Sequence, residues 1–372
     1  MGTETLHVGR PNIGDRMTFY DRTAVIFGRR WLSNNGCYVQ SLEETVAKFV
    51  GVKHCIAVCN ATVGLQVAMK AAGVTGQVIV PAWTHIATAH ALSWIGLEPV
   101  FVDVNEWHNI DADVVRSAVT TDTAAILGVH LWGRPCSVRA LEYIAELDDL
   151  CLIFDAAHSF GCSYFGQMIG GFGDAEVFSF HATKFVNGFE GGAICTNDDD
   201  IAERARAMIN FGYRDGAVQY LGTNGKMSEP SAAMALTNIE SMGEFIVVNK
   251  RNYDEYRRQL PGVVFVEYDE TERNNYHYVV IEIENRDRVM EALHAERIMA
   301  KRYFWPGLHR EVPYRTGVSL PETERLAACT LALPTGTAIG VDEVTRVCDI
   351  IKRTMEESTM RTMATMPAWA AS

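Results

Sequence analysis

Short, continuously apolar runs separated by amphipathic stretches dominate the first two-thirds of the chain. Segments 54–59, 77–80, 99–104, 124–131 and 151–154 read as strands, followed by 176–180 and 193–196. Between them, 62–72, 84–95 and 138–147 carry helical spacing, and Leu65, Met69 and Ala72 share one face of the first. Strands apolar on both sides, alternating with helices, predict an α/β fold with a mostly parallel sheet covered on both faces. Residues 200–209 and 231–260 then read as helices, the second stopped by Pro261, which cannot continue it. A smaller α+β unit is expected from strands 263–266 and 277–283 and helices 288–297 and 342–355. In the last, Val344, Val347, Ile351 and Met355 recur at helical spacing.

The expected organisation is an N-terminal arm over 1–50, a large domain over 51–245, a small C-terminal domain over 246–357 and a frayed tail over 358–372. Within the arm, residues 30–36 are turn-rich, and Ser41 with Glu44 three positions on resembles a capping box that starts a helix. The tail is rich in Met and Thr without periodicity.

Composition narrows the function. With 372 residues, 48% of them hydrophobic, the chain can bury a large core. A net charge of −13 with no basic run argues against a broad nucleic-acid surface. The Met-Gly-Thr-Glu start lacks the basic and apolar regions of a secretion signal, and no apolar stretch approaches the ~20 residues of a membrane span. Nine cysteines, irregularly spaced and without a Cys-x-x-Cys pair, read as buried apolar thiols in a reducing cytoplasm. Neither a disulfide framework nor a metal site is expected.

Candidate chemistry gathers around Lys184. It follows the strand 176–180 and the segment Ser179-Phe180-His181-Ala182-Thr183, precedes Gly188-Phe189-Glu190-Gly191-Gly192, and stands 29 residues after Asp155. A lysine just past an apolar strand is partly desolvated, which lowers its pKa and frees the amine as nucleophile or proton carrier. Asp155 ends another apolar strand; such a carboxylate can cap a helix, or it can hold a proton on a pyridine nitrogen. His158, three residues on, suits either a core histidine or a donor to the same ring. Ala61 and Thr62 lie between a strand and a helix, where backbone amides and a hydroxyl make a phosphate site, although Thr62 alone could be a cap. Ser179 supplies a second hydroxyl. An amine for an aldehyde, a carboxylate for a ring nitrogen and donors for a phosphate together fit pyridoxal phosphate. A nicotinamide reading fails, because Cys59-Asn60-Ala61-Thr62-Val63-Gly64 stands where a Gly-x-Gly-x-x-Gly loop is needed. The glycines from Gly166 to Gly173 read as a hairpin turn.

These segments, together with Val129-His130-Leu131-Trp132-Gly133-Arg134-Pro135, Gly222-Thr223-Asn224-Gly225-Lys226-Met227-Ser228-Glu229 and Ala332-Leu333-Pro334-Thr335-Gly336, resemble the DegT/DnrJ/EryC1/StrS sugar aminotransferases over residues 8–356. Among the family's branches, the 4-aminotransferases of desosamine biosynthesis are the most similar. The resemblance implies an aspartate-aminotransferase-like fold (type I among pyridoxal phosphate enzymes). It further implies amino transfer from L-glutamate to a nucleotide-linked 4-keto-6-deoxy sugar. Lys184 would then be the Schiff-base lysine, Asp155 the partner of the ring nitrogen, and His158 a neighbour of the ring oxygen. Ala61, Thr62 and Ser179 would hold the phosphate, with Asn224 reaching it from the other subunit of a homodimer. The family usually places an aromatic residue after its Pro-x-x-Thr segment, stacked on the ring; here His85 follows Pro81-Ala82-Trp83-Thr84, and Trp83 reads as core.

Substrate contacts are expected among Arg30 (or Arg29), Trp31, Asn274, Asn275, Tyr276, Tyr303, Trp305 and His309, where packing would serve each residue equally well. Three rivals stay open to different degrees. A 3-keto-sugar aminotransferase uses the same machinery. A sugar 3-dehydratase would carry histidine at the lysine position, which Lys184 opposes. A non-catalytic regulator would have little reason to keep Lys184, Asp155 and Ser179 together.

Overall fold

The computed structural model describes residues 4–315 and 317–365, the last eight by their backbone alone. Its centre is a seven-stranded sheet ordered His54–Val58, Gly192–Thr196, Ala175–Ser179, Cys151–Asp155, Thr123–Val129, Gln77–Pro81 and Glu98–Val102. Six strands run the same way; Gly192–Thr196 is antiparallel to both neighbours. Alternate side chains feed two separate cores, as the two-residue period of a strand requires. Leu152, Phe154 and Phe178 join Leu42, Val46 and Leu141 on one face. Ile153, Val177 and Ile194 join Leu65, Met69 and Ala89 on the other. Both faces are covered by helices, so the continuous apolar runs follow from two-sided burial.

Several boundaries differ from expectation for local reasons. The helix expected over 84–95 is Ile86–Ser93, because the His85 ring accepts the Ala87 amide at Nδ1 and fixes the start. Ser41 caps nothing; it lies inside the helix Cys37–Val50, which begins after Gly36. The first amides of that helix, on Tyr38 and Val39, donate to the buried carboxylate of Glu229, each at 2.9 Å. A cap supplied from 190 residues away leaves no local pattern. The arm also holds an unexpected helix, Arg16–Arg29, capped by Asp15 and burying only Ile26, too little for a periodic signal.

Downstream, the helix Glu229–Gln259 serves two cores. Its Ala232, Leu236 and Ile239 pack with the large sheet, while Tyr253 and Tyr256 pack around a three-stranded sheet. In that sheet Val279–Glu282 lies between Val264–Phe265 and Thr330–Leu333. Arg286–Ala295 and Val341–Thr365 cover it through Val289, Leu293, Val344, Val347 and Ile351. The last helix runs through 358–365, where a frayed tail was expected. No Gly or Pro interrupts the sequence there before Pro367, and Met, Arg and Ala favour helix. Residues 366–372 of that tail lie outside the described residues. The expected turn between Gly166 and Gly173 is a hairpin of Ser163–Tyr164 with Gln167–Met168.

Candidate active site

The six strands of like direction end at one edge of the sheet, the edge where open α/β sheets place their ligands. A cleft of about 680 Å³ opens there. Ala61, Thr62, His85 and Asp155 line it, together with His158, Ser179, Lys184 and Tyr303. Residues far apart in sequence meet because each follows, or ends, one of these strands or faces them across the opening.

The helix Ala61–Ala71 starts directly after the first strand. Asn60 caps it by accepting the Val63 amide at 2.9 Å, so the earlier amides of Ala61 and Thr62 have no partner inside the helix. Gly192 permits this start to press against the sheet: a Cβ there would stand 2.9 Å from the Ala61 nitrogen. Ser179 ends the strand on the far side of Gly192–Thr196 and lines the same cleft. Two backbone donors, two hydroxyls and the positive end of a helix converge, which suits a phosphate.

Lys184 sits on a loop closed by bonds from Phe180 to Gly191 and from Gly188 to Phe180, both 2.8 Å. Burial pulls its ammonium down to about 8, against the raising effect of Asp155. The part of the side chain that still faces the cleft moderates that desolvation. Asp155 is nearly buried; Thr88 Oγ1 donates to one oxygen at 2.8 Å and the Ala157 amide to the other at 3.1 Å. The carboxylate is therefore fixed and solvated by the protein rather than by water.

His158 makes no bond to Asp155. Its Nδ1 accepts the Trp132 amide at 3.2 Å, and its ring lies 4.5 Å from Tyr278 and 5.9 Å from Trp132. Burial, reinforced by Lys184, holds its pKa well below the usual histidine range. A neutral ring accepting at Nδ1 carries its proton on Nε2, a donor for an oxygen in the cleft. His85 is likewise held below its ordinary value, first by burial and then by Lys184. Trp83 beside it is buried core.

Other candidates lie elsewhere. Arg29, Arg30 and Trp31 are exposed on the arm, outside the cleft lining. Tyr276 is buried, donating to Glu270, and His309 is buried against Glu324. Asn274 and Asn275 spend their amides on backbone carbonyls; Asn275 donates to His158 and Phe160, holding the histidine segment without entering the cleft. Trp305 is half-exposed under Arg302. Asn224 is exposed and outside this protomer's cleft.

Four further residues line or shape the site. Thr88 follows Thr84 by one helical turn, a visible signal. Trp132 lies inside the 129–135 motif, where nothing in the sequence marks its role, and Tyr278 stands two residues past Tyr276, beyond the irregular backbone there (φ 48°). Lys301 carries no local signature at all.

The donor set fits pyridoxal phosphate: a partly desolvated amine, a fixed carboxylate, a neutral imidazole donor and a phosphate cradle whose floor only glycine allows. Comparison with known proteins agrees. A solved structure of DesI with its TDP-sugar product is 48% identical, superposes with a TM-score of 0.91 and covers 96% of each chain. An Escherichia coli dTDP-4-amino-4,6-dideoxy-D-glucose transaminase is 33% identical over 94% of this chain and 99% of its own. The Shigella dysenteriae protein of the same name is 36% identical over 81% and 85%. The sequence model of one family matches residues 17–352, and the fold and enzyme class follow: the chain belongs to the DegT/DnrJ/EryC1/StrS aminotransferase family.

Proposed function

We propose that this sugar aminotransferase moves the amino group of L-glutamate to carbon 4 of a thymidine-diphosphate-linked 4-keto-6-deoxyglucose, within deoxyamino-sugar biosynthesis for a natural product. The observation that carries the reading is the likeness to DesI, with Lys184 and Asp155 brought into one cleft. The two transaminase relatives point to the same carbon.

When bound, pyridoxal phosphate supplies an aldehyde for the amino group and an electron sink for the carbanion left by proton removal. Lys184 takes the α-proton of the amino donor and returns one to carbon 4 of the sugar, a transfer suited to an amine near pH 8. Asp155 would hold the ring nitrogen protonated, its carboxylate kept in place by Thr88 and Ala157. His158 would donate Nε2–H to the ring oxygen, and Ala61, Thr62 and Ser179 would hold the phosphate. Asn224 completes that cradle in a second copy, making a homodimer the working unit. Its loop supports this, with Leu221 92% exposed and Phe211, Tyr213 and Val218 apolar and open nearby. The change of core near residue 245 supports a boundary there between a large unit over 51–245 and a small one over 246–357, with Leu308, Tyr314 and Leu320 of the second returning to the large-sheet core. Among the described residues no helix is long and apolar enough to cross a membrane.

Absorbance of the purified protein tests the reading. A cofactor band that shifts with glutamate and returns with the 4-keto sugar is the expected result. A shift that only a 3-keto sugar reverses would move the amine to carbon 3. Absence of a band even with added cofactor would overturn the reading.

A further inference from the structure

An amino donor brings a carboxylate into the cleft, and this protomer's own lining offers few cations to meet it. Among the described lining residues Lys184 and Lys301 are the only lysines, there is no arginine, and His130 is spent on Glu176 at 2.8 Å. Lys184 is committed to the cofactor and the proton. Lys301 is held from behind by two backbone bonds to Ala332, at 3.0 and 2.8 Å. Its Nζ lies 3.4 Å from the Tyr303 hydroxyl and 5.5 Å from the centre of that ring. No carboxylate of the described residues is within ion-pair distance of it. The lining carboxylates are otherwise engaged: Asp155 with Thr88 and Ala157, Glu190 with His181 at 3.6 Å.

We propose that Lys301, together with the Tyr303 hydroxyl, receives the carboxylate of the amino donor. This rests on the aminotransferase reading above and names a contact for its first substrate. Position favours a carboxylate here. The phosphate cradle at Ala61, Thr62 and Ser179 holds one anion, so a second anion is repelled towards the other wall. Tyr303 belongs to that wall, packed on Phe304 at 5.2 Å and on Trp132 at 6.0 Å, and Trp132 in turn stacks on His158. Lysine is a compact point charge and the tyrosine hydroxyl a neutral donor. The pair suits one carboxylate better than an extended diphosphate, which bidentate arginine recognises best.

The test uses holoenzyme and glutarate, a dicarboxylate without an amine, titrated by calorimetry. Cofactor absorbance serves as the check on folding. Lys301→Met should weaken glutarate about tenfold or more, as loss of a charged hydrogen bond implies, and raise the KM for glutamate alike. The KM for the nucleotide sugar should stay unchanged. Lys301→Arg should recover most of the affinity, and Tyr303→Phe should cost less than Lys301→Met. Unchanged glutarate affinity in Lys301→Met overturns the proposal, as does a defect confined to the sugar. If wild-type holoenzyme binds glutarate through Lys301 but aminates no keto sugar, the carboxylate contact stands and the sugar assignment falls.

Discussion

On the sheet side of the cleft, Asp155 and Ser179 are the last residues of buried strands, and Ala61 and Thr62 open a helix one step beyond another. On the facing side, Tyr278 precedes a short strand while Lys301, Tyr303 and Phe304 follow one of two residues. The first wall inherits its positions from a seven-stranded sheet, whose packing fixes each strand end. The second is set by aromatic contacts among Trp132, Tyr278, Tyr303 and Phe304. Invariant cofactor chemistry suits the rigid wall, and substrate choice suits the wall that loops can reshape.

If that division holds, substitutions on the sheet side should strike turnover and cofactor retention. Those on the facing side should strike substrate affinity. The largest effect is expected for Lys184→Ala: amino transfer, followed as oxo-acid release from glutamate, should fall at least about 10³-fold. A smaller loss would put the proton carrier elsewhere. Asp155→Asn keeps the acceptor for Thr88 but removes the charge, and kcat should drop roughly 10²–10³-fold. Cofactor capture by the free protein should rise with pH through about 8 as the Lys184 ammonium deprotonates. Since Asp155 raises that value, the Asp155→Asn midpoint should move to lower pH; a shift upward would contradict the placement.

His277 ties the walls together, with its Nε2 bonded to the Thr183 carbonyl at 2.9 Å, one residue before Lys184. Burial depresses its pKa to about 4, so the unfolded chain binds a proton first. Stability should therefore fall as pH drops below about 6.5 and continue falling to about 4, a loss on the order of 3 kcal/mol. Urea unfolding at pH 7, 5 and 4 should show a shallower acid loss in His277→Gln than in the parent. Thr88→Val, which leaves one oxygen of Asp155 short of a donor, should cost about 1–3 kcal/mol of stability or transition-state binding. The mildest change, Tyr303→Phe, should raise the KM for glutamate a few-fold and leave cofactor absorbance intact. Cofactor loss in that variant would break the division between the walls.

The same division decides what could be read from the sequence. Lys184, Asp155, Ser179 and Thr62 stand at the ends of apolar runs whose burial on both faces makes them plain, and the structure gathers all four. Tyr276 and His309 stand near Tyr278 and Phe304, which line the cleft, but Tyr276 is buried against Glu270 and His309 against Glu324. Lys301 reaches the cleft only through a bridge to Ala332, a pairing across 31 residues that no periodicity marks. The Glu229 cap leaves no local mark for the same reason, since its partner is remote, whereas the Arg16–Arg29 helix buries only Ile26 and so shows no period.

The single antiparallel strand Gly192–Thr196 has a consequence for assembly. It lies between the strand that leads to Thr62 and the strand that ends in Ser179, and its first residue makes room for the Ala61 amide. Until it inserts, the halves of the phosphate cradle belong to unjoined pieces of chain. Its pairing with Ala175–Ser179 is local, but that with His54–Val58 joins Gly192 to Val58, and pairings of such long sequence separation form slowly. Cofactor affinity thus reads out completion of the sheet, and by mass action each tenfold excess of cofactor over its dissociation constant protects the finished molecule by about 1.4 kcal/mol.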